Sequence, residues 1–137
     1  MSAETGVSRP PARARLTLLV YATAAAVLAA DQVSKLLAME LLRPVGSVPV
    51  VGRYISLSWA TNTGGAFGLL PSATPVLAGI AAGVVIVLVV LAHRLAGGRL
   101  IAVAVACLLG GALGNLIDRL RLGYVVDFID LHFWPIF

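Results

Sequence analysis

Asp127 lies between Val125-Val126 and Phe128-Ile129. Apolar surroundings favour the neutral form of a carboxyl group unless a cation pairs it. A carboxyl so placed is suited to general acid–base work; the alternative is a buried pair with Arg119 or Arg121. Asp130 and His132 come three and five residues later. With a nucleophile they could point to hydrolysis, but the stretch offers no serine or cysteine. Two potential metal ligands are also too few for a closed metal site.

Other polar residues stand in similar settings. Asp31 and Lys35 of "DQVSK" are four apart and can pair along one helix face. Asn62 opens "NTGGAFG", where glycines permit unusual backbone and a close approach by an extended peptide or headgroup. In "GGALGNLIDR", Gly110 and Gly114 share a face, as in small-residue helix packing. Asn115 and Asp118 follow the same turn, and Asp118 and Arg119 can neutralise each other. No strand precedes these glycines, so a dinucleotide-binding loop is excluded.

The elements that must carry these residues are set by composition. The chain has 137 residues, 60% hydrophobic and 12% charged, with mean hydropathy +1.00. Soluble domains have roughly a quarter of their residues charged, so an integral membrane protein is expected. The net charge is +4, but the basic residues are scattered, without the aromatic-interleaved stripe of a nucleic-acid binder. Cys107 is the only cysteine and can form no internal disulfide.

Residues 1–15 form a basic, proline-containing tail, expected to be disordered. The rest is expected to be one membrane domain. A first helix is predicted over 16–42, stopped by Arg43-Pro44. Its apolar half also has signal-peptide character, but no break separates it from the more polar half, and more spans come later in the chain. The segment 44–70 alternates Val, Ile, Tyr and Trp with glycines and reads as short strands and turns. Such backbone cannot face lipid. Further helices are predicted over 72–92 and 100–117, each about 30 Å long and matched to a bilayer. Arginines in the tail and in the 93–99 turn put both on the cytoplasmic side. Segments 43–71 and 118–137 then share the outer face. Arg119 and Arg121 there call for a reason beyond topology.

Taken in order, "DQVSK", "NTGGAFG" and "GGALGNLIDRLRLGYVVDFID" resemble lipoprotein signal peptidase, the signal peptidase II family, across nearly all of 16–137. The third motif is long and specific. The resemblance implies a membrane α-helical fold: four transmembrane helices, both termini cytoplasmic, and a small extracytoplasmic β-cradle. It implies an intramembrane aspartic peptidase of the bacterial inner membrane, without cofactor or metal, whose active site lies near the outer face. The enzyme would cut diacylglyceryl-modified prolipoproteins before the lipidated cysteine. Expected partners are that substrate, membrane lipid and globomycin-type inhibitors, with no nucleic acid, and the protein is expected to be monomeric. Asp127 matches one catalytic aspartate. Asp31, Asn62, Gly111, Asn115, Asp118 and Arg119 match positions that support the site, and Asp130 matches no catalytic position. The second catalytic aspartate belongs to an aromatic–Asn–x–Ala–Asp motif opening the fourth helix. The chain stops at "FWPIF", where that motif would begin. Three of the four helices are therefore expected here, with the second aspartate beyond Phe137 and the 137 residues alone inactive. The rival readings are a small transporter or channel module and a non-catalytic membrane fragment.

Overall fold

The computed structural model describes residues 12–63, 74–94 and 98–133. Among these residues three helices, α1 (Ala12–Leu42), α2 (Thr74–Arg94) and α3 (Arg99–Leu122), accompany three strands, β1 (Ser47–Val51), β2 (Ile55–Asn62) and β3 (Val125–Leu131). All three helices are long and apolar enough to cross a membrane. Helix α1 starts at Ala12, so four residues assigned to the tail from sequence form its first turn. It continues past Ala30 to Leu42 without a turn at the end of its apolar half.

Helix α3 is the central member and packs against both α1 and α2. Its contact face is made of small and medium side chains. Ala102, Val105, Ala106 and Leu109 are buried against Val20 and Ala24 of α1 and Leu88 and Ala92 of α2. The outward faces keep large apolar residues exposed, among them Leu18, Val76, Ile86, Leu100 and Leu108. That is the pattern of helices whose surrounding solvent is lipid. At one end Arg13 donates to the His93 carbonyl at 2.9 Å, and the Tyr21 hydroxyl lies 2.9 Å from His93 Nε2. These contacts tie the start of α1 to the end of α2.

The expected third span stops at Ile117, where the apolar run ends. The helix itself continues through Asp118, Arg119 and Arg121 to Leu122. It closes at Gly123, whose φ of 82° is left-handed and whose N–H bonds the Arg119 carbonyl at 3.1 Å; glycine meets that geometry without Cβ strain. Arg119 and Arg121 fall in the last turn, where cations complement the helix dipole. This gives them a structural reason to stand at the end of α3 that meets the sheet.

The strands form one antiparallel sheet in the order β1-β2-β3. Hairpin β1–β2 comes from the segment expected to build the cradle. Pro49 lies on β1, an edge strand, where a residue without an N–H is tolerated. The third strand is not anticipated by the sequence pattern. The chain leaves the sheet after β2, runs through α2 and α3, and returns to pair β3 with β2. Register shifts between Leu57 and Ala60, from Leu57↔Ile129 to Ala60↔Asp127. Because side chains alternate along a strand, Asp127 and Asp130, three apart on β3, point to opposite faces of the sheet.

Candidate active site

Two close approaches bring α1 and α3 together beneath the sheet. A Cβ on Gly110 would lie 2.7 Å from Val27 Cβ and 2.8 Å from the Ala24 carbonyl oxygen. One turn on, a Cβ on Gly114 would collide with the Asp31 carboxylate. The Gly110/Gly114 face predicted for helix packing is the one α1 uses. The approach is close enough for short side chains on the two helices to bond directly.

Just beyond these glycines lies a polar cluster. Lys35 is 6% exposed, and its Nζ is 2.9 Å from Asp31 Oδ2, 2.7 Å from Asp118 Oδ2 and 3.1 Å from Asn115 Oδ1. Gln32 Nε2 donates to Asp31 Oδ2 at 3.1 Å and to Asp118 Oδ1 at 3.0 Å. The Asp31–Lys35 pair read from the four-residue spacing is present, but it is half of an arrangement that crosses to α3. The expected neutralisation of Asp118 by Arg119 is not what forms: buried Asp118 takes Lys35 instead. Adjacent residues on a helix do not face each other, whereas α1 presents Lys35 across the interface. Arg119 donates to the Asn115 carbonyl at 3.3 Å, and its Nε is buried with no hydrogen-bond partner among the described residues.

Asp118 also reaches the sheet. The Val126 N–H donates to Asp118 Oδ2 at 3.3 Å, which fastens β3 to α3 immediately before Asp127. On the next residue, the Asp127 carboxylate accepts from Asn62 Nδ2 at 3.0 Å. Asn62, the last residue of β2, is thus the partner found for Asp127, in place of Arg119 or Arg121. Six of the seven residues singled out from sequence belong to two linked groups. Asp31, Asn115 and Asp118 meet around Lys35, with Arg119 on the Asn115 carbonyl, and Asn62 meets Asp127. Gly111 is outside them: a Cβ there would meet nothing within 4 Å among the described residues. Gly64 to Gly68 of "NTGGAFG" and Trp134 to Phe137 lie outside the described residues.

Sequence reasoning misses two members. It offers Lys35 only as a partner for Asp31 and gives Gln32 no role. The signal is available, because positions 31, 32 and 35 fall on one helix face through i,i+3 and i,i+4 spacings. A further correction concerns His132. A serine does lie beside it, for Ser56 Oγ is 2.8 Å from His132 Nε2. Asp130 Oδ2 is 3.6 Å from that same Nε2. A catalytic triad needs the acid on the other ring nitrogen, so that Nε2 is free for the hydroxyl. Ser56 is also buried. The trio is a cross-strand polar contact on the face opposite Asp127.

A groove of about 940 Å³ at the opposite end, between the starts of α1 and α3, is lined by Arg15 and Arg99 with apolar residues and contains no carboxylate. The acidic chemistry lies where α1, α3 and the sheet converge.

The family model described as signal peptidase (SPase) II matches residues 23–137. The chain belongs to the signal peptidase II family. Similar curated proteins carry the name lipoprotein signal peptidase. That of Moorella thermoacetica is 47% identical over 112 residues, 81% of this chain and 75% of the relative. That of Mycobacterium avium is 43% identical over 136 residues, 94% of this chain and 72% of the relative. The fold agrees with a bacterial membrane enzyme solved at 2.3 Å by the in meso method. It has TM-score 0.74 and 31% identity, covering 86% of this chain and 75% of that one. The chain is thus a bacterial membrane peptidase of the signal peptidase II type, with a small antiparallel sheet at one end of its helices.

Proposed function

We propose that this protein removes the signal peptide from diacylglyceryl-modified prolipoproteins, cutting before the lipidated cysteine, with Asp127 as one carboxyl group of an aspartic pair. The observation that carries this reading is the position of Asp127. Within a signal peptidase II chain, it is held by Asn62 at the point where the sheet meets the outer ends of α1 and α3. There a peptide emerging from the bilayer could meet both the sheet and the carboxylate.

In aspartic chemistry two neighbouring carboxyl groups share a proton, because both cannot readily ionise. One takes a proton from the attacking water. The other, protonated, polarises the scissile carbonyl, and the pair titrates as a unit. The proposed partner of Asp127 is the second aspartate of the pair that the family resemblance implies. Asn62 fits the part of a donor that orients Asp127 toward the water. The cluster of Asp31, Asn115, Asp118 and Arg119 is read as support, and Gly111 as a place where substrate passes close to the helix. The arginine-rich helix ends at Arg13, Arg15, Arg94 and Arg99 are assigned to the cytoplasmic side of the inner membrane. The substrate and surrounding lipid are the proposed partners, globomycin-type compounds the proposed inhibitors, and a monomer the proposed state. Transport is not favoured, because the acidic groups gather near one end of the helices rather than at their middle.

The test is cleavage of a diacylglyceryl-modified precursor by the full-length protein and by Asp127→Asn. The substitution preserves shape and removes the ionisable group. Cleavage is expected to disappear; full activity in the variant would sink the assignment.

A further inference from the structure

We infer that Lys35 is a positioning residue for the cleavage reaction: its ammonium holds Asp118 as the anchor for the Val126 N–H, and through that backbone it sets where Asp127 stands. The inference rests on the reading of Asp127 as a reacting carboxylate and gives a role to Lys35, the last residue of "DQVSK", for which the site residues carried over from the family left none.

The geometry is a short chain of contacts. Lys35 Nζ and the Val126 N–H converge on one oxygen, Asp118 Oδ2, at 2.7 and 3.3 Å. The other oxygen, Oδ1, is taken by Gln32 at 3.0 Å. Asp118 therefore has both oxygens oriented by α1 and uses one of them to hold β3. Strand β3 is an edge of the sheet, and at Val126 its outward N–H is anchored to a helix rather than to another strand. The next residue is Asp127. A displacement of Val126 is transmitted to the Asp127 Cα through a single rigid peptide plane.

The cation is needed because of burial. Asp118 and Lys35 are 4% and 6% exposed. A buried carboxylate stripped of its cation is left with an uncompensated charge and is drawn toward water. The neighbouring cleft, of about 50 Å³, is lined by Asp118, Lys35 and Arg121 together with Gln32, Met39 and Leu122 among others, and has room for only a few waters. A few waters supply dipoles but not the ammonium charge that Lys35 places 2.7 Å from Asp118. Asp31, the other acid on Lys35, has a side chain 24% exposed and can be hydrated. Loss of Lys35 therefore falls mainly on Asp118, and so on β3.

The experiment compares Lys35→Met, Asp118→Asn, the double variant Lys35→Met/Asp118→Asn and Asp127→Asn in the full-length protein. It measures kcat and KM separately on a diacylglyceryl-modified substrate, and thermal unfolding in the same detergent. Misplacing a reacting group by about 1 Å costs on the order of 100-fold in rate, so Lys35→Met is expected to lower kcat by about that factor with KM little changed. In the double variant the side-chain amide introduced by Asp118→Asn carries no charge and can still accept from Val126, so kcat should recover at least about tenfold over Lys35→Met. A role limited to holding helices together would change the unfolding temperature and leave kcat of the folded enzyme unchanged. That result overturns the inference, as does a double variant no faster than Lys35→Met. If Lys35→Met fails to fold, the double variant decides alone: kcat within about tenfold of Asp118→Asn supports the inference, and a larger deficit overturns it. Retained cleavage by Asp127→Asn would instead bring down the reading of Asp127, a distinguishable failure.

Discussion

Replacing Gly110 by alanine adds one methyl group at the tightest point of the α1–α3 contact. Its Cβ would stand 2.7 Å from Val27 Cβ, 2.8 Å from Val27 Cγ1 and 2.8 Å from the Ala24 carbonyl oxygen. Val27 is β-branched and stiff at χ1, and the Ala24 oxygen is helix backbone, so neither neighbour swings aside. Helix α1 must retreat by about 0.7 Å to restore ordinary contact, given that 3.4 Å is the lower end of van der Waals spacing. Overpacking of this kind costs about 1–3 kcal/mol, and alanine returns about 1 kcal/mol through its better helix propensity. A net loss of up to about 2 kcal/mol is expected. Two controls isolate the contact. Among the described residues, Gly111, the adjacent residue, and Gly83 on α2 have nothing within 4 Å of their would-be Cβ atoms. Alanine at either should leave stability unchanged or raise it by the propensity gain alone. The assay is reversible unfolding of the full-length protein in mixed micelles. If Gly110→Ala is as stable as Gly83→Ala, the close approach is not what fixes the helix pair, and the packing argument fails.

Two more outcomes are expected. Asn62→Ala removes the donor to Asp127; a hydrogen bond to a charged group contributes about 1.5–3 kcal/mol, so kcat should fall at least about tenfold, and a parental rate would show that Asn62 does not orient the carboxylate. Ser56→Ala and His132→Gln should cleave at close to the parental rate, because their contact lies across the sheet from Asp127 and lacks triad geometry; loss of cleavage in a folded Ser56→Ala protein would reinstate a nucleophilic reading.

Helices are legible from sequence because long apolar runs bounded by Arg43-Pro44 and by basic turns leave little choice in a bilayer. Their ends are less so. Hydropathy stops at Ile117, whereas α3 continues to Leu122 on hydrogen bonding and a glycine cap. Strand β3 is illegible for a different reason. "VVDFIDL" has no clean alternation, since Val125 and Val126 are both buried. Its partner β2 is more than sixty residues away, and local periodicity carries no information about pairing at that separation. Asp127 can be singled out by its apolar neighbours, but not its bond to Asn62, which depends on that pairing and on the register shift before Ala60. Asp118 shows the same limit. Its nearest cation along the chain is Arg119, yet its partner comes from another helix, because burial selects the side chain that crosses the interface.

The Lys35 cluster also bears on how the helices hold each other in lipid. Hydrocarbon gives two apolar helices no hydrophobic reason to associate, so their contact depends on close packing and on polar bonds between them. α1 and α3 use both, one turn apart: backbone approach at Gly110 and Gly114, then the Lys35 and Gln32 bonds. A buried ion pair is weak evidence for stability by itself, because removing two charges from water can cost more than their attraction returns. What the cluster adds is register. Gly110 would tolerate small slides and rotations of α1, whereas Lys35 reaches both Asn115 and Asp118 of α3 in only one alignment. One helix turn of slip, about 5.4 Å, would break every bond to α3 and leave Asp118 buried without a cation. The register of α1 on α3 is therefore coupled to the anchor on Val126, so the packing of two helices in lipid sets the position of a carboxylate on the sheet beyond it.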